Sequence, residues 1–416
     1  MNTRKARRTV VTGIGVVAPN GTNTEAFWKR THEGMSVLDR VTREGCEHLP
    51  LRVAGEVRGF EPAGLIEERY LVQTDKFTHF AMAAADIALE DARLGRADYE
   101  ASPFDVGVVT AAGSGGGEFG QRELQRLWGQ GSTYVGPYQS IAWFYAASTG
   151  QISIRGGFKG PCAVVASDEA GGLDALAHAA RSIRGGTAAV VVGAAEAPLA
   201  PYSVVCQLGY DDLSTEEDPG RAYRPFTSDA RGFVPAEGGA MLVVEEERSA
   251  LRRGAKVRAE LAGHAATFTG AGRWEESREG LAQAIIGALR EADCAPEEID
   301  VVFADALGVP AADRAEVLAL ADALGAHGSR VPVTAPKTGI GRAYCGAPVL
   351  DVAAAVLSME NALIPPTPNV FEVCHDIDVV TGSARPAELR TALVLSRGLM
   401  GSNSAMVLRR VTDPRT

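Results

Sequence analysis

The chain has 416 residues, a hydrophobic content of 46% and a formal net charge of -11. These values are typical of a globular protein that buries a large core. No apolar run is long enough to span a membrane, and no stripe of lysine and arginine stands out, so we expect no membrane and no nucleic acid as a partner. The basic N-terminal segment leads directly into a strand-like run rather than a signal region, which predicts a cytoplasmic protein.

Strand-like and helical patterns alternate along the first half of the chain, which predicts a layered α/β fold. In chain order they are a strand at 9–12, a helix at 75–94, a strand at 106–110, a helix at 171–184, and strands at 188–193 and 240–244. From about Lys256 the order restarts with KVRAELAGHAATF, EGLAQAIIGALREA, VVFADAL and ADRAEVLALADALG. No linker separates the two parts, so we predict related halves at 1–255 and 256–416 that share one core.

The spacing of the cysteines and glycines does not indicate a cofactor-binding site. The six cysteines are scattered without a CxxC pair, so neither a disulfide framework nor a metal site is predicted. Glycine-rich or turn-rich segments at 111–117, 335–346 and 396–403 each follow an apolar run, where glycine lets the backbone approach a ligand or another chain closely. The GIG at 13–15 lacks the third glycine of a dinucleotide fingerprint, and we therefore predict no cofactor.

The segment GPCAVVASDEAGGLDALAHAARSIRGG at 160–186 resembles the nucleophile segment of ketosynthases, where an apolar strand ends at a cysteine and a helix follows. Such an elbow exposes the side chain and aims a helix N-terminus at it, which stabilises a thiolate. Counted back from GLDA, the cysteine's position is held by Glu169. A carboxylate cannot carry a thioester-linked acyl group.

Two imidazoles that condensing enzymes use for decarboxylation and enolate stabilisation are also missing. The HGTGT-like turn of those enzymes corresponds to DALGVPAADRAE, with Leu307 in place of the histidine. Their K…GH-like loop corresponds to PKTGIGRAYCGAP, with Arg342 in place of the second histidine. The resemblance therefore implies that no catalytic residue remains and that independent condensing activity is lost.

The rest of the chain keeps the family's scaffold. RPFTSDARGFVPAEGGAMLVVE at 224–245 resembles a ketosynthase segment, and LVLSRGLMGSNSAMVLRR resembles their GFGG loop with the phenylalanine replaced. The long string at 118–161, beginning EFGQRELQRLWGQG, is similar to that of chain-length factors, the ketosynthase beta subunits of type II polyketide synthases. This resemblance spans essentially the whole chain. It implies a thiolase-like fold of two related halves in α-β-α-β-α layers.

Chain-length factors imply a function through a partner. The resemblance implies a heterodimer with a ketosynthase alpha subunit, forming a beta-ketoacyl synthase (acyltransferase) complex for aromatic polyketide antibiotics. It also implies an acyl carrier protein that brings malonyl units and the growing chain on phosphopantetheine. In the family a tunnel at the interface limits chain length, and its gating positions match Gly117, Gly120 and Leu124. Small residues there predict a long tunnel, unless the glycines serve only a backbone turn.

Aromatic side chains mark the expected interface, because they supply large buried areas at low entropic cost. Core packing is the competing interpretation for the same residues. The candidates are Tyr138, Trp143, Phe144 and Tyr145, together with Phe119, Gln121 and Arg122 beside the tunnel positions.

Two alternatives to an aromatic chain-length factor stay open, and a third is not expected. Chain-length factors usually carry glutamine where this chain has Glu169, so a malonyl-carrier-protein decarboxylase that supplies the starter unit is one alternative, with Arg342 as its enolate donor. The interpretation we favour is that a carboxylate at a helix N-terminus fills the vacated pocket. The equivalent subunit of a polyene-forming system is a second alternative. An active condensing enzyme or thiolase is not expected, because Cys162 and Cys345 lie at the wrong places.

Overall fold

The computed structural model describes residues 7–99, 102–270 and 272–411. Within these ranges the strands are β1 (Thr9–Val17), β2 (Asp39–Arg40), β3 (Val53–Ala54), β4 (Val106–Ala111), β5 (Cys162–Val165), β6 (Ala189–Glu196), β7 (Gly238–Glu246), β8 (Ala259–Phe268), β9 (Val301–Phe303), β10 (Pro332–Thr334), β11 (Leu363–Ile364), β12 (Asp378–Val379), β13 (Arg385–Pro386), β14 (Thr391–Arg397) and β15 (Ser402–Arg410). The helices are α1 (Thr24–His32), α2 (Glu68–Leu71), α3 (Lys76–Asp91), α4 (Arg96–Tyr99), α5 (Gly117–Gln130), α6 (Gln139–Ala142), α7 (Ala147–Gly156), α8 (Gly171–Gly185), α9 (Pro201–Gln207), α10 (Glu247–Arg252), α11 (Ser277–Glu291), α12 (Pro310–Leu324) and α13 (Gly346–Asn361).

One mixed sheet of eleven strands runs through both parts of the chain, in the order β12-β10-β9-β14-β15-β8-β1-β7-β6-β4-β5. The antiparallel pairing of β1 with β8, through Val10 opposite Glu260, joins the strands of the two parts. Strands β4, β5 and β6 are parallel, so their carboxyl ends meet at one edge of the sheet. The turn after β5, which carries Glu169, begins at this edge.

Two helices form the centre of the molecule. Helices α8 and α13 pack on each other and on strands from both parts of the chain. Helix α13 is buried on nearly all sides, as its alanine- and valine-rich sequence predicts. Helix α3 covers β1, β6 and β7 from outside, and α11 covers β8 and β15. The result is the layered α/β arrangement predicted from the sequence, while the division near residue 256 stays a prediction.

Capping explains where the long helix α3 begins. Asp75 immediately precedes it, and its carboxylate accepts a 3.3 Å hydrogen bond from the N–H of Phe77, as an N-cap residue does. The same carboxylate accepts a 2.7 Å hydrogen bond from the N–H of Phe119, which fixes the first turn of α5. Across the described ranges, none of the helices is both long and apolar enough to cross a membrane.

Candidate functional site

Glu169 lies in the turn between β5 and α8, close to the first residue of the helix. Its side chain is buried, with only 2% of its surface exposed. The preceding residue, Asp168, has a left-handed backbone with a φ of 58°. Residues other than glycine rarely adopt this conformation, although aspartate tolerates it better than most. The turn therefore brings two neighbouring acidic side chains together just before the start of α8.

The surroundings of Glu169 favour its neutral form. Burial raises the pKa of Glu169 well above its usual range, and hydrogen bonding and repulsion from Asp168 raise it further, against a smaller opposing effect of Arg342. The N–H of Leu399 donates a 2.9 Å hydrogen bond to Oε2 of Glu169. A protonated carboxyl group is neutral and close in shape to an amide. In its neutral form Glu169 is therefore close to a glutamine in shape and in hydrogen-bonding groups.

The other two residues predicted to replace catalytic ones, Leu307 and Arg342, are buried in the core. Leu307 is fully buried in an apolar cluster with Tyr223 and Phe233. Arg342 is also buried, and its Nη1 lies 2.8 Å from a carboxylate oxygen of Asp305. Its Nη2 donates to the backbone carbonyl of Arg397. Both terminal nitrogens of Arg342 are thus engaged inside the protein.

A buried ion network surrounds Asp305. Nε of Arg397 lies 3.0 Å from Asp305, and Nη2 of Arg397 lies 2.9 Å from Glu316. Although burial acts in the opposite direction, Arg342, Arg397 and Lys337 lower the pKa of Asp305 to about 2. Charges paired in this way are costly to break one at a time. The network is a structural connection between the segments that carry Asp305, Glu316, Arg342 and Arg397.

A cavity of about 290 Å³ opens beside Glu169. Its walls come from the acidic turn, the start of α5, helix α9 and the start of α13. A cavity of this size is close to the lower limit for small-molecule sites. The residues that line the cavity include Gly117, Asp168, Glu169, Ser203, Cys345 and Leu399.

Cys162 and Cys345 lie in different surroundings. Cys345 lines the cavity, but burial and the nearby Glu196 and Glu169 raise the pKa of its thiol well above its usual range. Its Sγ donates to the carbonyl of Asp168 at 3.0 Å. Cys162 lies at the exposed start of β5, with Sγ 3.5 Å from Oγ of Ser153. A catalytic cysteine must form a thiolate readily, which the surroundings of Cys345 disfavour.

Of the predicted tunnel positions, the structure brings Gly117 to the cavity. A β-carbon on Gly117 would lie 2.2 Å from Oγ of Ser203, so the helix start and α9 approach closely there. Gly120 is buried one turn further on, where an added β-carbon would lie 3.6 Å from Cβ of Trp143. Leu124 is 38% exposed at the helix surface. Gly120 and Leu124 are not among the residues that line the cavity.

The predicted interface residues fall into two groups. Tyr138, Trp143, Phe144 and Tyr145 are each between 38% and 50% exposed, and they surround the short helix α6. Phe119 is buried, and the Arg122 guanidinium stacks over its ring at 4.6 Å. The side-chain oxygen of Gln121 accepts a 2.7 Å hydrogen bond from the N–H of Tyr202. The first group is accessible to a partner, whereas Phe119 and Gln121 have contacts within the chain.

Several residues of the site were not singled out from the sequence. They are Asp168 in the turn, Glu196 near Cys345, and Asp305 and Arg397 of the buried network. Glu196, Asp305 and Arg397 are single charges within mostly apolar or small-residue strings, which is a signal because charged side chains are rarely buried without a partner. Their partners come from distant segments, so the sequence did not indicate the pairing.

Comparisons with known proteins identify the family to which this chain is similar. A family model described as the beta-ketoacyl synthase N-terminal domain matches residues 6–250, and that of the C-terminal domain matches 258–371. "Putative polyketide beta-ketoacyl synthase 2" of Streptomyces cyaneus is 76% identical over 97% of this chain and 96% of its own length. The tetracenomycin polyketide synthase ketoacyl synthase beta subunit of Streptomyces glaucescens is 50% identical over 96% of this chain and 98% of its own length.

Solved structures share the fold over nearly the whole chain. The ishigamide ketosynthase/chain length factor superposes with a TM-score of 0.87 at 28% identity, over 98% of this chain and all of that one. A type II PKS acyl-carrier protein in complex with its ketosynthase bound to the hexaketide gives a TM-score of 0.88 at 28% identity, with the same coverage. The predicted thiolase-like ketosynthase fold is therefore confirmed.

Proposed function

Because the chain belongs to the beta-ketoacyl synthase family, we propose that it is the non-catalytic chain-length factor of a type II polyketide synthase. The observation that carries this proposal is the identity of three residues: by the resemblance to ketosynthase motifs, Glu169, Leu307 and Arg342 are assigned to the positions where condensing enzymes have a cysteine and two histidines. A carboxylic acid cannot hold the acyl chain as a thioester, and leucine cannot transfer a proton. The condensation reaction then belongs to a ketosynthase partner.

Two surface features support pairing with that partner. Strand β5 is the last strand at one end of the sheet, and its residues are exposed or half-buried. An uncovered edge strand presents backbone groups that another chain can pair with. The exposed aromatics Trp143, Phe144 and Tyr145 precede α7, which packs on β5. An edge strand beside exposed aromatic side chains is suited to a large and apolar interface.

The cavity supports a role in shaping the polyketide tunnel. It lies beside the first turn of α5, where Gly117 contributes no side chain, and the next turn carries Gly120 in place of a bulky residue. We propose that the tunnel from the partner's cysteine passes this helix. Enclosure in a narrow channel keeps a reactive polyketone extended and away from water.

The relatives' names support the proposed partners. One relative is a beta subunit of the tetracenomycin synthase, and the solved complexes include a ketosynthase/chain length factor and a carrier protein with its ketosynthase. The proposed partners of this chain are accordingly a ketosynthase alpha subunit and an acyl carrier protein. The proposed place of action is the cytoplasm, and the proposed product class is an aromatic polyketide.

The decarboxylase alternative meets a chemical obstacle. Decarboxylation of a malonyl group needs a donor that stabilises the enolate. Both terminal nitrogens of Arg342 are bound to Asp305 and to the carbonyl of Arg397, and Arg342 does not line the cavity. The N–H of Leu399 is bound to Glu169. The alternative therefore remains only as an outcome of the test below.

Reconstitution tests the proposal. This chain, its cognate ketosynthase and the pair are each supplied with malonyl-carrier protein, and product masses and released carbon dioxide are measured. We expect a long polyketide from the pair alone. If this chain alone releases carbon dioxide and Glu169→Ala abolishes the release, the decarboxylase function replaces the proposal.

The tunnel assignment has its own variant. Gly120→Phe adds a bulky ring one turn from the cavity, so we expect the pair to make a polyketide at least one extension shorter. Gly129→Phe is the matched control, because it lies on the same helix with no atom within 4 Å of its added β-carbon. Equal products from wild type and Gly120→Phe would contradict the assignment of α5 to the tunnel wall.

A further inference from the structure

The loop at 398–401, between β14 and β15, is anchored where it begins. Arg397, the last residue of β14, donates from both its backbone N–H and its Nε to Asp305, each at 3.0 Å. The same guanidinium pairs with Glu316. The loop therefore starts from a fully buried residue that cannot shift without breaking charged hydrogen bonds.

The middle of the loop is held by the acidic turn. The N–H of Leu399 donates to Glu169 at 2.9 Å, and the N–H of Met400 donates to Oδ2 of Asp168 at 2.5 Å. The backbone carbonyl of Asp168 accepts the hydrogen bond from Cys345 at the start of α13. Asp168 thus joins the loop to a central helix.

Steric fit and backbone conformation both depend on this contact. A β-carbon on Gly398 would lie 2.2 Å from Oδ2 of Asp168, so the carboxylate occupies the space that a larger residue would need. Asp168 reaches this place from a left-handed backbone, which is uncommon for a residue with a side chain. Leu399, at the centre of the loop, lines the cavity.

We infer that Asp168 is a positioning residue that holds the loop at 398–401 as a fixed wall of the cavity beside Glu169, and thereby fixes the shape that limits the polyketide. The statement about the shape that limits the polyketide rests on the proposed function. The N–H groups of Leu399 and Met400 are occupied by the acidic turn, so the wall offers an acyl chain the apolar side chain of Leu399 instead of these two hydrogen-bond donors. A fixed wall gives one tunnel geometry, and a mobile one gives a mixture.

An alternative is that the loop holds itself. The N–H of Gly398 donates to the carbonyl of Ser402 at 2.8 Å, and that of Gly401 donates to the carbonyl of Gly398 at 3.0 Å. These two bonds form a closed turn between β14 and β15 without help from Asp168. The experiment must therefore remove the carboxylate and leave the turn and the backbone of residue 168 intact.

Hydrogen exchange on the ketosynthase pair separates these possibilities. Asp168→Gly keeps the left-handed backbone and removes the acceptor, so we expect exchange at the amides of Leu399 and Met400 to rise about ten-fold or more. Asp168→Asn keeps an acceptor oxygen and tolerates the same conformation, and it should restore protection to near the wild-type level. The matched control is Asp293→Gly, the same change at an exposed aspartate with a φ of 48°.

Exchange unchanged in Asp168→Gly would overturn the inference, because the loop would then hold itself. If this variant does not fold, Gly398→Ala serves instead, since its β-carbon would displace the carboxylate of Asp168.

Product masses test the link between the loop and chain length. For the pair that contains Asp168→Gly, we expect the fraction of off-length polyketides to rise about three-fold or more over wild type. Faster exchange with unchanged products would overturn the link to chain length. A wild-type pair that makes no polyketide would instead refute the proposed function, while the exchange result would still decide the role of Asp168.

Discussion

At the scale of single residues, the turn at Asp168 and Glu169 joins distant segments of the chain. Glu169 is buried and accepts a hydrogen bond from the N–H of Leu399. Removal from water and the neighbouring carboxylate favour its proton-bearing form. A neutral acid and an amide have nearly the same shape, so we expect the site to accept a glutamine in place of Glu169.

The titration of Glu169 leads to a prediction about stability. The pKa of Glu169 is higher in the folded protein than in the unfolded chain. Its contribution to the free energy of unfolding is therefore fully present below the unfolded-state pKa and is lost as the pH rises toward the folded-state pKa. Glutamine does not titrate. We expect Glu169→Gln to gain stability over wild type as the pH rises above about 4.5, by at most about 1.4 kcal/mol per pH unit.

Urea unfolding between about pH 5 and pH 9 measures this difference. The exposed Glu33→Gln is the control, and its difference from wild type should not follow the same rise with pH. A constant difference between Glu169→Gln and wild type would mean that Glu169 is ionised in the folded protein.

At the scale of elements, the close contact of α8 with α13 places the acidic turn against the rest of the site. Gly172, in the first turn of α8, has the carbonyl oxygen of Cys345 2.4 Å and a side-chain carbon of Pro348 2.7 Å from where its β-carbon would be. The two helices can approach this closely because residue 172 has no side chain. The start of α8 is consequently held against the start of α13, and Glu169 is held beside Cys345.

Gly172→Ala should therefore destabilise the protein. Its methyl group would overlap backbone atoms that have no free space to move into, and we expect a loss of about 1–3 kcal/mol in the free energy of unfolding. Gly185→Ala, at the other end of the same helix, has no atom within 4 Å of its β-carbon, so it should be neutral or stabilising by up to about 1 kcal/mol. Calorimetry of both variants compares them, and equal stability would refute the close-contact explanation.

At the scale of the whole molecule, the sheet has two ends of different character. At one end, β12 pairs with β10 and has side chains that are half-buried or buried. At the other end, β5 stands beside α7 and near several exposed aromatic side chains. Exposed apolar groups of this kind commonly mark a binding surface. The heterodimer is accordingly proposed on the β5 side, close to the cavity.

Trp143→Ala tests this surface. Trp143 is half exposed and packs edge-on against Phe144, and large aromatics carry much of the binding energy in interfaces. We expect its loss to weaken assembly with the ketosynthase by about ten-fold or more, measured as the dissociation constant by analytical ultracentrifugation. Phe371→Ala removes an exposed aromatic from the other half of the chain and should change affinity less than about two-fold. Equal effects of the two variants would argue against the proposed interface.

Local sequence patterns predicted much of the observed secondary structure. The apolar pattern predicted α3 and α8 nearly to their observed ends, because this signal lies within one segment. The motif strings also predict three substituted catalytic positions, at Glu169, Leu307 and Arg342, and this assignment stays a prediction.

Only the tertiary structure decided what surrounds those positions. It brings Asp305 to Arg342 and Arg397, and it places the amides of Leu399 and Met400 on the acidic turn, across separations of 37 to 232 residues. It also places Gly117 at the cavity and leaves Leu124 at the surface. Burial and long-range pairing depend on how elements pack together, so the protonation of Glu169 and the role of Asp168 emerge from the folded chain rather than from any local string.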